Sequence, residues 1–155
     1  MGAKLQDKVV VVTGASSGFG RAIAKACAAE GAKVVVSDVH ENPNAGGFED
    51  DAALTTVEAI EKLGGAGTYV GCDVTKEDQV DRLVAETVRA YGRIDVMVNN
   101  AGVYRNGKRL HEFDEADLDV CYEVNVVFLA SDDSSYIHGD LIKVDGGETL
   151  CRYSV

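Results

Sequence analysis

Basic residues are scarce in this 155-residue chain: 15 lysines and arginines stand against 26 aspartates and glutamates, a net charge of −11. That balance argues against a nucleic-acid surface, because an acidic face repels a phosphate backbone. The acidic residues are dispersed, and no block of them forms a tail. No stretch is long and apolar enough to span a bilayer, so no membrane partner is expected. The N-terminus shows no signal-peptide pattern. Cys27, Cys72, Cys121 and Cys151 lie far apart without a C-x-x-C, and His40, His111 and His138 have no ligand spacing. Neither a metal nor a disulfide is expected, and the setting is read as reduced and cytoplasmic. The only proline, Pro43, falls in a polar loop over 41–51 that also holds Gly46-Gly47. Internal repeats and low-complexity segments are absent.

What remains is a regular alternation of apolar runs and helical patterns. The length fits one domain with a sizeable core, taken as 1–155. Residues 8–12 read as a buried strand, 18–30 as an alanine-rich helix ended by Gly31, and 33–37 as a second strand followed by Asp38. A helix over 52–63 closes at Gly64-Gly65, and a third strand lies near 68–71. Thr75 is placed to cap a helix with an apolar stripe of Val80, Leu83, Val84, Thr87, Val88 and Tyr91, ended by Gly92. A fourth strand covers 94–98. Strand and helix in alternation give an α/β fold, a doubly wound parallel sheet with helices on both faces.

The glycine-rich turn Thr13-Gly14-Ala15-Ser16-Ser17-Gly18-Phe19-Gly20 joins the first strand to the first helix. Such a turn aims backbone N–H groups and the positive end of the helix dipole at one spot, which suits a pyrophosphate. Gly14 allows the tight turn, Gly18 lets a phosphate approach the backbone, and Gly20 lets helix and strand pack closely.

The spacing is G-x-x-x-G-x-G, and Asn99-Asn100-Ala101-Gly102 follows a later strand. Together these resemble the short-chain dehydrogenase/reductase family, which implies a Rossmann-like fold and a nicotinamide cofactor. On that resemblance the cofactor-binding residues are Gly14, Ser16, Ser17, Gly18, Phe19, Gly20, Asp38, Asp73, Val74, Asn100, Ala101 and Gly102. Asp73-Val74 resembles the family's adenine-edge contact, although Asp73 also suits the start of the next helix. A carboxylate at Asp38 accepts both ribose hydroxyls and repels a 2′-phosphate. Ala15, Ser16 and Val39 supply no cation where the family would place one. The cofactor is therefore read as NAD(H) rather than NADP(H).

Beyond Asp114, which looks like a helix N-cap, the chain leaves the family pattern. Asn125 matches the helix asparagine of the family's catalytic tetrad. The strand carrying the catalytic serine and the helix carrying Tyr-x-x-x-Lys do not follow. Instead 127–133 resembles the end of the family's late helix, and 135–139 and 143–147 its closing turn and last strand. The resemblance thus runs in two pieces, 1–126 and 127–150, with roughly a hundred residues of the usual middle absent. In the family, tyrosine is the general acid/base, lysine lowers its pKa and holds the nicotinamide ribose, and serine polarises the carbonyl. Tyr104 and Lys108 have the right spacing but sit in a glycine-containing loop without a helical pattern to put both side chains on one face; the resemblance implies that this loop borders the substrate, which leaves Tyr104 as the one candidate substitute proton donor. Tyr136 lacks the lysine, having Asp140 there, and Tyr122 belongs to a helix stripe.

Helical period survives the junction, with Leu118, Cys121, Tyr122, Asn125 and Leu129 on one face and Val120, Val124, Val127 and Phe128 on another. One helix over 115–131 would then lead to a last strand over 141–144, giving about five strands in the order 3-2-1-4-5. Full members of the family form homotetramers; with a helix missing, a monomer or a non-native oligomer on the Val120 and Phe128 face is expected. Three functions fit these observations. The first is an NAD(H)-binding module without hydride transfer. The second is an active NAD-dependent oxidoreductase on a secondary alcohol or ketone, whose middle segment is not among these 155 residues. The third is a non-catalytic scaffold or interaction protein.

Overall fold

The computed structural model describes residues 3–44, 49–103, 112 and 114–125, which divide into two units, Met1–Ala101 and Gly102–Val155. The first unit runs β1 (Val9–Thr13), α1 (Gly18–Ala29), β2 (Lys33–Asp38), α2 (Thr56–Lys62), β3 (Ala66–Gly71), α3 (Glu77–Tyr91) and β4 (Val96–Val98). The second contributes α4 (Glu115–Asn125).

Two valine runs make the centre of the sheet. Val9 to Val12 and Val34 to Val36 are all at most 2% exposed, as continuous apolar strands must be when helices cover both faces. β1 pairs in parallel with β2, Val10 opposite Val34, and on its other side with β4, Val10 opposite Val96. β3 adds to β2, with Val35 opposite Thr68. The strand order is β3-β2-β1-β4, the first four positions of the expected sheet. The fifth strand over 141–144, and the helix beyond 125, lie outside the described residues.

Because successive side chains alternate between faces, the valines split between two cores. Val10, Val12, Val34 and Val36 pack with Ala24 and Ala28 of α1 and Ile60 of α2. Val11, Val35 and Val70 face the other way, toward Leu83 of α3. Both faces are therefore covered, α1 and α2 on one and α3 on the other. Ala24 and Ala28 are the buried apolar residues that α1 sets against the valines.

Several boundaries differ from the sequence expectation. α2 begins at Thr56 rather than 52, because Thr55 and Glu58 form a reciprocal capping box: Glu58 N–H donates to Thr55 Oγ1 at 3.2 Å, and Thr55 N–H to Glu58 Oε2 at 2.7 Å. Residues 52 and 54 are instead held in turns, with N–H groups donating to the Glu49 and Asp51 carbonyls. Thr75 does not cap α3. Its hydroxyl donates to Asp73 Oδ1 at 2.8 Å, and Lys76 occupies the cap position. Of the six-residue α3 stripe, Leu83 and Thr87 are buried and Val80 and Tyr91 pack partly buried beside them, but Val84 and Val88 are exposed. β4 is three residues long, because Asp95 just before it donates its N–H to the Val9 carbonyl and accepts the Val9 N–H on its carboxylate. In the second unit, the Asp114 carboxylate accepts the Asp117 N–H at 2.9 Å, the N-cap bond expected of it. Among the described residues no helix is long and apolar enough to cross a membrane.

Candidate functional site

In an open parallel sheet, ligands bind outside the carboxyl ends of the strands, where the strand order reverses. Here the reversal falls between β1 and β4. The glycine turn leaves the end of β1, Asp38 ends β2, and Asn100 and Ala101 follow β4, so three separate sequence segments converge there.

The turn is clamped from the β4 side. Asn100 Nδ2 donates to the carbonyls of Thr13 at 2.9 Å and Gly14 at 3.2 Å. Thr13 Oγ1 accepts the N–H groups of Asn100 at 3.1 Å and Ala101 at 3.0 Å. Both amide hydrogens of Asn100 are thus engaged in shaping the turn. Gly14 adopts a φ of +64°, and a Cβ there would stand 2.8 Å from Ala101 Cα. Gly20 is needed for a closer approach still: its Cβ would lie 2.2 Å from the Gly14 carbonyl oxygen and 2.5 Å from Asn100 Nδ2. The contact that requires glycine at position 20 is therefore the turn itself, and not only the packing of helix on strand. Gly18, at φ +57°, has nothing within 4 Å of its Cβ position among the described residues. Ser17 precedes α1 without a side-chain cap bond, and Phe19 stands 70% exposed beside it.

Asp38 closes the β2 side. Its Oδ2 accepts the Ser16 N–H at 3.0 Å and its Oδ1 the Val39 N–H at 2.8 Å, fixing the carboxylate against the glycine turn. Ser16 Oγ donates to the His40 carbonyl at 2.6 Å, and Asn44 N–H donates to Ser17 Oγ at 2.7 Å. Beyond Asp38, an open pocket of about 350 Å³ is lined by Val39, Gly71, Cys72, Asp73, Gln79 and Arg82. Asp73 accepts both the hydroxyl and the N–H of Thr75, and these bonds hold its carboxyl below the usual carboxylate range. Gln79 Oε1 accepts the Asp73 N–H at 2.9 Å, and Arg82 donates to the Gly71 carbonyl at 2.7 Å. Burial pushes the Cys72 thiol up, away from the thiolate form. Val74 is half-buried in the following turn.

Below the glycine turn lies a network that the sequence does not advertise. Arg21 of α1 is 1% exposed. Its Nη2 donates to Asp51 Oδ1 at 2.9 Å and to the Asp51 carbonyl at 3.2 Å, while Nη1 donates to Thr56 Oγ1 at 3.0 Å. Thr56 Oγ1 in turn donates to the Ala15 carbonyl at 2.8 Å. The segment entering α2 is thereby tied to the floor of the turn. A glutamate from the same segment, Glu49, accepts the Gly18 N–H at 2.6 Å. The single arginine in an alanine-rich helix was the available signal for the network; nothing in the sequence marks Glu49.

The structure thus brings Gly14, Ser16, Ser17, Gly18, Phe19, Gly20, Asp38, Asp73, Asn100 and Ala101 to the carboxyl ends of the strands. Gly102 begins the second unit, and Asn125 ends α4 within it. Tyr104, Lys108 and Tyr136 lie outside the described residues.

Residues 8–131 match the model of the short chain dehydrogenase family. A 3beta-hydroxysteroid dehydrogenase of Mediterraneibacter gnavus is 40% identical over 114 residues, covering 74% of this chain and 38% of that protein. The crystal structure of a hydroxysteroid dehydrogenase from Escherichia coli superposes with a TM-score of 0.67 at 35% identity, over 81% of this chain and 49% of that one. A metagenomic short-chain oxidoreductase, crystallised in complex with NADP, gives 0.66 at 33% identity, over 79% and 52%. The chain spans about half the length of these relatives, or less.

Proposed function

The chain belongs to the short-chain dehydrogenase/reductase family, a family of oxidoreductases that bind a nicotinamide cofactor, and from that premise we propose that it binds NAD(H) in preference to NADP(H). The observation that carries this reading is Asp38. Its carboxylate, fixed at the end of β2 by the Ser16 and Val39 N–H groups, stands where an adenosine ribose would lie if a pyrophosphate sat on α1. Ribose hydroxyls can donate to that carboxylate, whereas a 2′-phosphate would face like charge.

The rest of the cleft fits the group. Gly18 opens toward the N-terminus of α1, where backbone N–H groups and the helix dipole favour an anion. The pocket lined by Val39, Asp73 and Arg82 has room for an adenine. Ser16, Ser17 and Phe19 would flank the pyrophosphate, and Asn100 and Ala101 would border the nicotinamide half. When bound, the cofactor supplies the hydride chemistry.

Among these 155 residues only Asn125 corresponds to the family's catalytic tetrad, so we propose cofactor binding without appreciable oxidation of secondary alcohols. General acid–base assistance is typically worth about 10²–10⁴-fold, and no serine or Tyr-x-x-x-Lys at the family's positions is present to give it. The partial coverage of the relatives favours a second reading, in which these residues belong to an active alcohol or ketone oxidoreductase with a further middle segment. Calorimetric titration with NAD and NADP, beside turnover of a panel of small alcohols, tests both. NAD is expected to bind more tightly, with Asp38→Ala erasing the preference. Tighter NADP binding would overturn the Asp38 argument, and robust turnover would favour the second reading.

A further inference from the structure

Groups of the turn proposed to receive the pyrophosphate already have partners, and three of these partners come from the segment after β2. Glu49 Oε1 accepts the Gly18 N–H at 2.6 Å, Asn44 N–H donates to Ser17 Oγ, and the His40 carbonyl accepts the Ser16 hydroxyl. Glu49 differs from the other two in bringing a negative charge. Its carboxylate lies on the first N–H of α1, where a cofactor phosphate oxygen would sit.

We propose that Glu49 is an internal competitor for the cofactor phosphates, an autoinhibitory contact that lowers the chain's affinity for nucleotide; this rests on the cofactor site proposed above. Two anions do not share one N–H donor at a helix N-terminus, so nucleotide binds only when the carboxylate has left. The apparent affinity is then the intrinsic affinity multiplied by the fraction of molecules in which Glu49 has withdrawn. The contact is built to yield. Glu49 Oε2 is buried with no hydrogen-bond partner among the described residues, so only one of its two oxygens is compensated for lost water. Departure of the side chain rehydrates that oxygen and leaves Gly18 N–H to an incoming phosphate. The neighbouring Asp51 is not displaced with it, since Arg21 and Lys25 hold its two oxygens.

The test is calorimetric titration of the full chain, its Glu49→Gln variant and its Glu49→Ala variant with NAD, ADP and adenosine. The glutamine variant keeps an acceptor of the same length without the charge, which guards against a failure to fold. NAD and ADP are expected to bind about tenfold more tightly to Glu49→Ala, the size of one charge-assisted hydrogen bond given up by the wild type, and by a smaller factor to Glu49→Gln, whose neutral amide oxygen still accepts the Gly18 N–H. Adenosine carries no phosphate and should bind all three chains alike. A gain shared by adenosine would mean that Glu49 merely obstructs the cleft, and would overturn the competition. Equal ADP affinity in all three chains would overturn it as well, while leaving the cofactor site standing. Absence of NAD binding in every chain would remove both.

Discussion

Replacing Arg21 by methionine is the sharpest probe of how the glycine turn is held. The guanidinium is almost fully buried and makes charge-assisted bonds to Asp51 Oδ1, to the Asp51 carbonyl and to Thr56 Oγ1. Each such bond is worth about 1.5–3 kcal/mol where no replacement forms. Two effects reduce the sum. Lys25 still holds Asp51 Oδ2 at 2.7 Å, and methionine fills the space without the cost of desolvating a cation. A net loss of about 2–3 kcal/mol is expected for Arg21→Met near pH 7. The hydrogen bonds from Lys25 and Arg21 hold the Asp51 carboxyl down to about 2, against 3.8 unperturbed. That difference corresponds to about 2.5 kcal/mol unscreened. The Asp51 side chain is 30% exposed, so water reduces it to about 1 kcal/mol, shared between the two cations. Because the folded value lies below the unfolded one, this stabilisation is complete above about pH 4 to 5. It disappears as the pH falls through 2. Urea unfolding of wild type, Arg21→Met, Asp51→Asn and the double variant should therefore show a coupling of up to about 1 kcal/mol near neutrality that vanishes near pH 2. A loss under about 0.5 kcal/mol for Arg21→Met, or a coupling that persists at pH 2, would refute the network as the anchor of the turn.

Two further substitutions separate the turn from the helices around it. Gly20→Ala puts a methyl 2.2 Å from the Gly14 carbonyl oxygen, so the backbone must shift; thermal unfolding should show a loss of at least about 2 kcal/mol, and NAD titration no binding. Thr55→Ala removes one half of the α2 capping box and should cost about 1 kcal/mol in urea unfolding, with NAD affinity retained because the box lies outside the cleft.

The features legible in the sequence are those written in local pattern. Valine runs too continuous for a half-exposed strand announced a sheet covered on both sides, and the glycine spacing with the later Asn-Asn-Ala-Gly announced the family. Strand order through β4 followed from the family resemblance, the alternation giving only a parallel sheet. The less legible features depend on groups far apart in the chain. A stripe such as Val80 to Tyr91 records which side of a helix is apolar, but not how much of it a partner covers, and Val84 and Val88 stay exposed. The start of α2 turned on Thr55 against a run of good helix formers, where a local capping box outweighed propensity. Glu49 and Asp51 sit in a polar loop without period, and their roles exist only because Arg21 and Gly18 lie across from them in space.

The motif glycines themselves serve two different masters, and the structure separates them. A side chain at Gly14 or Gly20 would strike the turn or the Asn100–Ala101 segment, so those two positions are dictated by the chain's own packing whether or not anything binds. Asn100, with both amide hydrogens on the carbonyls of Thr13 and Gly14, belongs to the same internal demand. A Cβ at Gly18 meets nothing among the described residues, and glycine is called for there by the backbone, whose φ is +57°. The Gly18 N–H is satisfied by a carboxylate whose second oxygen is uncompensated, rather than by a fixed backbone partner. Ligand binding in this turn is therefore argued from Glu49 and Asp38 more than from the glycine spacing that draws the eye first. A side chain at position 18 would close the approach to a phosphate and at the same time strain the turn at its φ of +57°, so the charge at Glu49 is the cleaner handle on ligand binding.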